Sequence, residues 1–224
     1  GYPQFGPVNI DIRGQGLSEF RYSGAGIIKA NKLYTPFLNL FLANAGSTQL
    51  AGTIGVRQLK VTGPGQTQIS GISSRYMEIE LKGNPKVQLS GNINLANLEL
   101  DGKACLNAHW LKSDTLNIRM RKAGSIELAG IVNRLEVELW GVAHFKGRYL
   151  RAQRSFVKTH DKSLAEIAAT NHQSTLATDA SDIHYYNLPV TRADFMAYNG
   201  AVLDLRDLSY PFIDEYTRYN KQFP

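Results

Sequence analysis

From Leu38 onward, short runs of alternating apolar and polar residues return along the chain at a nearly constant interval. They read Leu38-Asn-Leu-Phe-Leu, Leu59-Lys-Val-Thr, Met77-Glu-Ile-Glu-Leu, Leu98-Glu-Leu-Asp, Leu116-Asn-Ile-Arg-Met, Leu135-Glu-Val-Glu-Leu, Phe156-Val-Lys-Thr and Thr175-Leu-Ala-Thr. Their starts are 21, 18, 21, 18, 19, 21 and 19 residues apart. Alternation with period two predicts strands with one apolar and one polar face. A single run of this length encloses no core, but stacked copies bury a continuous apolar column.

Each run is followed by a turn rich in Gly, Asn or Asp and then by a second short alternating strand. Gly63-Pro64-Gly65 leads to Gln68-Ile69-Ser70-Gly71, Gly83-Asn84-Pro85 to Val87-Gln88-Leu89-Ser90-Gly91, and Lys122-Ala123-Gly124 to Ile126-Glu127-Leu128-Ala129-Gly130. The closing Gly predicts a corner where φ is positive or where the backbone passes close to the next coil. A meander of hairpins closing into a sandwich or barrel also places strands at 8–12-residue spacing. The return of one short phrase in phase favours a β-solenoid, here of about eight coils.

The pattern weakens at both ends. Val8-Asn-Ile-Asp-Ile-Arg alternates, but residues 24–34 fit the repeat poorly and read as a cap or an inserted loop, so the solenoid domain (1–189) has an irregular N-terminal part to about residue 37. After Pro189 the chain becomes a Tyr-rich extension (190–224). Helical turns are predicted through Thr191–Tyr198, with Thr191 as N-cap, and after Pro211. Tyr198, Tyr210, Phe212, Tyr216, Arg218 and Tyr219 of this extension are candidate partner-binding residues, because Tyr and Arg are enriched at interface anchors.

Composition narrows the possibilities. The 224 residues carry a formal charge of +6, with 43% apolar and 20% charged residues, which suits a folded domain and does not choose among anionic partners. Residues 112–162 hold eleven Lys/Arg against five acids, whereas the chain from Leu176 onward holds seven acids against four bases. Arg148, Arg151 and Arg154 form the densest basic patch; no aromatic stacking pattern accompanies it, so nucleic acid is not an expected partner. No apolar run approaches the length of a membrane span, and no export signal or lipid anchor is visible in the chain.

No chemistry-bearing motif emerges. The single Cys105 excludes an intramolecular disulfide and is expected in the core. His109, His144, His160, His172 and His184 match no zinc spacing. Glu78, Glu80, Glu99, Glu136 and Glu138 occupy outward strand positions. Lys60, Lys82, Arg119 and Arg121 alternate with them, which reads as cross-strand charge pairing rather than a carboxylate pair for hydrolysis. Catalytic residues, metal ligands and cofactors are therefore not assigned.

The Ser/Ala-Gly corners, the Leu-x-Val/Ile-x-Leu strands and the closing Ser181-Asp182-Ile183-His184-Tyr185-Tyr186-Asn187-Leu188-Pro189 resemble the head GIN domain family of auto-transporter adhesins over roughly residues 8–189. Members end with a Gly-Ser/Asp-Ile-x-Tyr-x-Gly-x-Pro phrase; this chain keeps the Tyr and Pro and lacks the Gly. The resemblance implies a right-handed parallel β-helix exported to the bacterial envelope, periplasmic or outer-membrane-associated, without enzymatic activity. The function expected is a structural or interaction protein, a scaffold or accessory subunit of an envelope assembly such as a secretion system, partnered by other envelope proteins. The alternative is a glycan-binding adhesin module.

Overall fold

The computed structural model describes residues 16–188 and 190–205. The described residues form a parallel β-solenoid of about ten turns, with no helix among them. Eight long strands, each one coil, form its body: β2 (Ile27–Asn44), β3 (Ser47–Thr62), β4 (Gln66–Gly83), β5 (Lys86–Gly102), β6 (Cys105–Lys122), β7 (Ser125–Leu139), β8 (His144–Thr159) and β9 (Leu164–Thr178). A partial coil, β1 (Glu19–Gly24), precedes them; β10 (Asp182–Tyr185) and β11 (Arg192–Tyr198) share one further coil, and β12 (Ala201–Asp204) opens another. Every named strand pairs in parallel with its neighbour in the stack.

The count exceeds eight coils because β1 and β2 already stack in register, Phe20 beside Leu40 and Leu40 beside Leu59. The sequence there alternates weakly, since Tyr34, Pro36 and Phe37 interrupt it.

In-register stacking turns the alternation into columns. Leu40, Leu59, Ile79, Leu98, Ile118, Val137 and Val157 follow one another through the stack, all buried. Leu42, Val61, Leu81, Leu100, Met120 and Leu139 form a second column beside them. Across the interior, Val87, Leu106, Ile126, Phe145, Ala165 and Ile183 form a third from the opposite wall. Each buried Leu or Ile contributes about 1.5–3 kcal/mol relative to exposure.

Towards the C-terminal end the core becomes polar. The column Leu116–Leu135 continues as Ser155 and Gln173, both fully buried. The Asn187 side-chain amide donates to Gln173 Oε1, and the Ala169 N–H donates to Asn187 Oδ1 at 2.8 Å. The phase of the last two repeats accordingly differs from the sequence expectation. Val157 and Ala177 point inward, while Phe156 and Leu176 lie on the outer face.

Each coil bends at recurring places. One corner carries positive φ at Lys32, Gly52, Gly71, Gly91, Trp110 and Gly130; the turn into the next coil carries it at Gly63, Gly83, Gly102, Lys122, Gly141, Asp161, Asp179 and Asn199. The close approach is explicit at Gly71, with φ +73°, where a Cβ would lie 1.8 Å from the Gly52 carbonyl oxygen.

Two expectations are corrected. Cys105 is exposed, because its column runs from Lys86 through Cys105 to Ser125 on the outer face and Leu106 takes the inward position. The segment 192–198 is strand β11, not a helical turn: it pairs in parallel with His172–Thr178 of β9. Satisfying the open backbone edge of β9 outweighs the capping preference of Thr191, whose hydroxyl instead donates to the Ala169 carbonyl at 3.0 Å. The second helical turn, after Pro211, falls outside the described residues.

The outer faces are cross-linked by charge. Glu80 holds Lys60 at 2.8 Å and also Lys82, and both lysines keep its carboxyl below the ordinary glutamate range. Near the other end, His144 Nε2 lies 2.8 Å from Glu166 Oε1. That hydrogen bond, opposed by partial burial and aided by the charges of His144, His184 and Lys146, lowers the Glu166 pKa.

Two outcomes follow. Gly71→Ala, which combines a strained left-handed backbone with a clash against the Gly52 carbonyl, should cost about 2–4 kcal/mol in denaturant unfolding. The lowered Glu166 pKa stabilises the fold above the unfolded-state value, and this contribution disappears as pH falls through the folded value. Glu166→Gln should therefore be less stable than the parent at neutral pH, with the difference shrinking as unfolding is measured from pH 6 towards pH 3. A constant difference across that range would contradict the assignment.

Candidate functional site

The residues singled out in the sequence do not converge. Tyr198 lies on β11 and is exposed, close to exposed Phe195 and Met196. Tyr210, Phe212, Tyr216, Arg218 and Tyr219 lie outside the described residues. Arg148, Arg151 and Arg154 all belong to β8, in different surroundings. The Arg148 guanidinium stacks 4.6 Å from the Tyr186 ring centroid and 5.6 Å from that of Tyr149. Arg151 is in register with Ile131 and Ala168; Arg154, exposed, is in register with Arg134 and His172. Arg134 is engaged, its Nε donating to Glu136 Oε1 at 2.6 Å and its guanidinium lying 4.5 Å from the Phe156 ring centroid.

The outward histidines are likewise built into the stack. His160 stacks on Trp140 with centroids 5.5 Å apart, Arg121 lies 5.4 Å from the Trp140 centroid, and His160 Nδ1 is 2.8 Å from Thr178 Oγ1. His172 Nε2 is 3.6 Å from Asp194. Among the described residues, no group of three or more His, Cys, Asp or Glu side chains is placed to hold a metal ion. No helix of the described chain is long and apolar enough to cross a membrane, which says nothing of strands.

What the structure does assemble is a groove across β2, β3 and β4, with a volume of about 580 Å³. β2 contributes Tyr34, Pro36 and Phe37, β3 contributes Thr53, Gly55 and Arg57, and β4 contributes Ser73, Arg75 and Tyr76. Tyr34 is 78% exposed, Phe37 69% and Tyr76 50%. Three large rings, Tyr34 and Phe37 of β2 and Tyr76 of β4, are exposed along this one groove, a concentration that a monomeric surface seldom carries without a use. Gly55 lets the floor close: a Cβ there would lie 1.9 Å from the Pro36 carbonyl oxygen.

The local sequence explains the shape. These residues fall where the coil-to-coil register slips, between Thr35 and Leu38, between Ile54 and Gln58, and between Ser74 and Met77. Such irregularities re-aim side chains out of the strict alternation. Thr35 anchors the β2 bend, its hydroxyl donating to the Leu17 carbonyl at 2.6 Å. Tyr76 is fixed by its neighbours. Its hydroxyl donates to Glu78 Oε1 at 2.9 Å, and Asn97 Nδ2 donates to the same carboxylate oxygen at 3.2 Å. The bond to Glu78 is the main cause raising the Tyr76 pKa, with burial and the Glu78 charge adding to it; Arg57 acts in the opposite direction.

This groove was not anticipated from the sequence. A usable signal was present: Tyr34, Phe37 and Tyr76 are aromatic residues at positions that break the repeat, where a core role is unavailable.

Comparison with known proteins agrees with the fold. The family model described as "Putative auto-transporter adhesin, head GIN domain" matches residues 77–189, half of the chain and a shorter span than the resemblance noted above. No curated protein matches the chain. The groove lies wholly before the match, since its lining runs from Tyr34 to Tyr76.

Proposed function

The chain belongs to the auto-transporter adhesin head GIN domain family, and on that premise we propose that it is a non-enzymatic interaction module whose groove of Tyr34, Phe37 and Tyr76 takes the ligand. Membership suggests an adhesin-like role in an extracellular or envelope-associated setting, and the family and fold are of a typically non-enzymatic kind. The observation that carries the reading is the exposure of three aromatic rings along one groove, Tyr34 and Phe37 on β2 and Tyr76 on β4. Stacked coils form a wall with little freedom to reorganise, so the rings meet a partner already in place.

A glycan is the ligand class best matched to such a surface. The C–H faces of a pyranose are apolar and lie flat on aromatic rings, while its hydroxyls remain free for polar side chains at the rim. Thr53 and Ser73, both exposed, stand between the rings.

The reading as a subunit of a larger envelope assembly, a secretion machine among them, rests on a different observation. Met196, Tyr198 and Leu203 are exposed on β11 and β12, the last strands of the ladder among the described residues. Apolar groups beside the last strands of a ladder favour a protein partner that adds to them.

The two surfaces separate experimentally. In Tyr34→Ala/Phe37→Ala, with the melting temperature unchanged, retention on purified cell envelopes and on a mixed glycan array should fall at least about tenfold, the loss expected when aromatic anchors are truncated. Full retention would remove the groove from consideration. Met196→Ser/Tyr198→Ser should strip co-purifying envelope proteins while leaving glycan retention intact; unchanged co-purification would dismiss the assembly reading.

A further inference from the structure

We infer that the groove is selective for a carboxylate-bearing pyranose, a uronate or a sialic acid, gripped by Arg57 and Arg75 while its ring rests on Tyr34, Phe37 or Tyr76. This rests on the reading that the groove is the ligand-contact surface.

The first support is the state of the two arginines. Both are exposed, and among the described residues neither makes an ion pair. The neighbouring charges behave differently. Lys60 and Lys82 are taken by Glu80, Lys122 by Asp101, and Arg119 faces Glu99 at 3.9 Å. In this groove the two guanidinium groups stand beside exposed rings without an ion pair among the described residues, so a ligand carboxylate would meet them there. Guanidinium also suits that anion better than ammonium, because its fork donates two parallel N–H bonds to one carboxylate.

Glu78, the acid bonded to Tyr76, does not fill that role. Glu78 Oε1 accepts from the Tyr76 hydroxyl and from Asn97 Nδ2, and Asn97 Oδ1 in turn accepts from Asn117 Nδ2 at 3.2 Å. Glu78 is thereby spent on orienting the Tyr76 ring. Arg57 and Tyr76 line the same groove, and the Arg57 charge reaches the Tyr76 hydroxyl.

Dimensions agree with a short saccharide. Neighbouring coils stand about 4.8 Å apart, so the three coils of the groove offer room for one or two sugar rings across the stack. A single-stranded nucleic acid would also use aromatic stacking and arginine. It needs a positive track following several phosphates, however, and this groove supplies two cations with Glu78 at its edge. That favours the sugar.

The test is titration calorimetry on the whole chain with defined probes. These are a hexasaccharide of alternating glucuronate and N-acetylglucosamine, the same hexasaccharide with its carboxylates reduced to alcohols, sialyllactose, and an oligouridylate. The acidic hexasaccharide or sialyllactose should bind, and whichever is tighter identifies the source of the carboxylate. Reduction to alcohols should weaken the hexasaccharide about tenfold or more, the loss expected for a charge-assisted pair. Arg57→Gln/Arg75→Gln should weaken the acidic probe by the same factor and leave the reduced one unchanged. Equal binding of acidic and reduced probes, with both lost in Tyr34→Ala/Phe37→Ala, would overturn the carboxylate selectivity while keeping the groove. Binding of either sugar that survives Tyr34→Ala/Phe37→Ala would overturn the groove reading itself. Tighter binding of oligouridylate than of any sugar, or no sugar binding at millimolar concentration, would also overturn the inference.

Discussion

The structure depends on one constraint, the parallel, in-register stacking of each coil on the last. Once Leu40 lies beside Leu59, and Leu59 beside Ile79, every position is committed to a column whose members share one environment. An inward column must stay apolar or be hydrogen-bonded, and an outward column must alternate its charges or repel itself. The corner glycines belong to the same constraint. At Gly71 the backbone passes so close to Gly52 that a side chain has no place to go.

Stacking also explains where function can sit. On the regular faces the columns consume their own chemistry: Glu80 with two lysines, Glu166 with His144, His160 between Trp140 and Thr178. Where the register slips, near Pro36, Val56 and Arg75, exposed rings and two guanidinium groups that make no ion pair among the described residues come together in one groove across β2, β3 and β4. Departures from regularity are where a locally consistent fold commonly keeps its binding chemistry.

The same logic decides what could be read beforehand. The coils were legible because a period of about twenty residues with internal alternation leaves few architectures open, and Leu59, Ile79 and Leu98 behave as that pattern requires. The charge pairing of Lys60, Glu80 and Lys82 followed from the same columns. Phase was lost at Phe156 and Thr175, because the apolar residue that marks a strand there faces outward and the inward column has turned to Ser155 and Gln173. Cys105 was misplaced on side-chain type, when the parity of Leu106 and Ala108 already put it outside. The strand at 192–198 hid behind a plausible helix cap, since nothing local announces that β9 needs a partner. The groove was invisible for a related reason: Tyr34, Arg57 and Tyr76 are far apart in the chain, and only the slips place them together.

The core itself differs along the axis, and this bears on which end can afford to bind. Around β3 to β7 the inward columns are mostly Leu, Ile, Val and Met, although the hydroxyls of Thr67 and Ser74 on β4 are buried without a partner among the described residues. Beyond β8 it relies on Ser155, Gln173, Thr175 and Asn187, and Gln173 Nε2, Ser155 Oγ and Thr175 Oγ1 find no protein partner. A partly satisfied buried network responds sharply to displacement. Contact with a ligand at β2 to β4 therefore loads the part of the stack whose interior columns are mostly apolar, and aromatic side chains lose little freedom on binding. Pairing of a protein against the last coils would act on the more delicate part and would change its stability along with its occupancy.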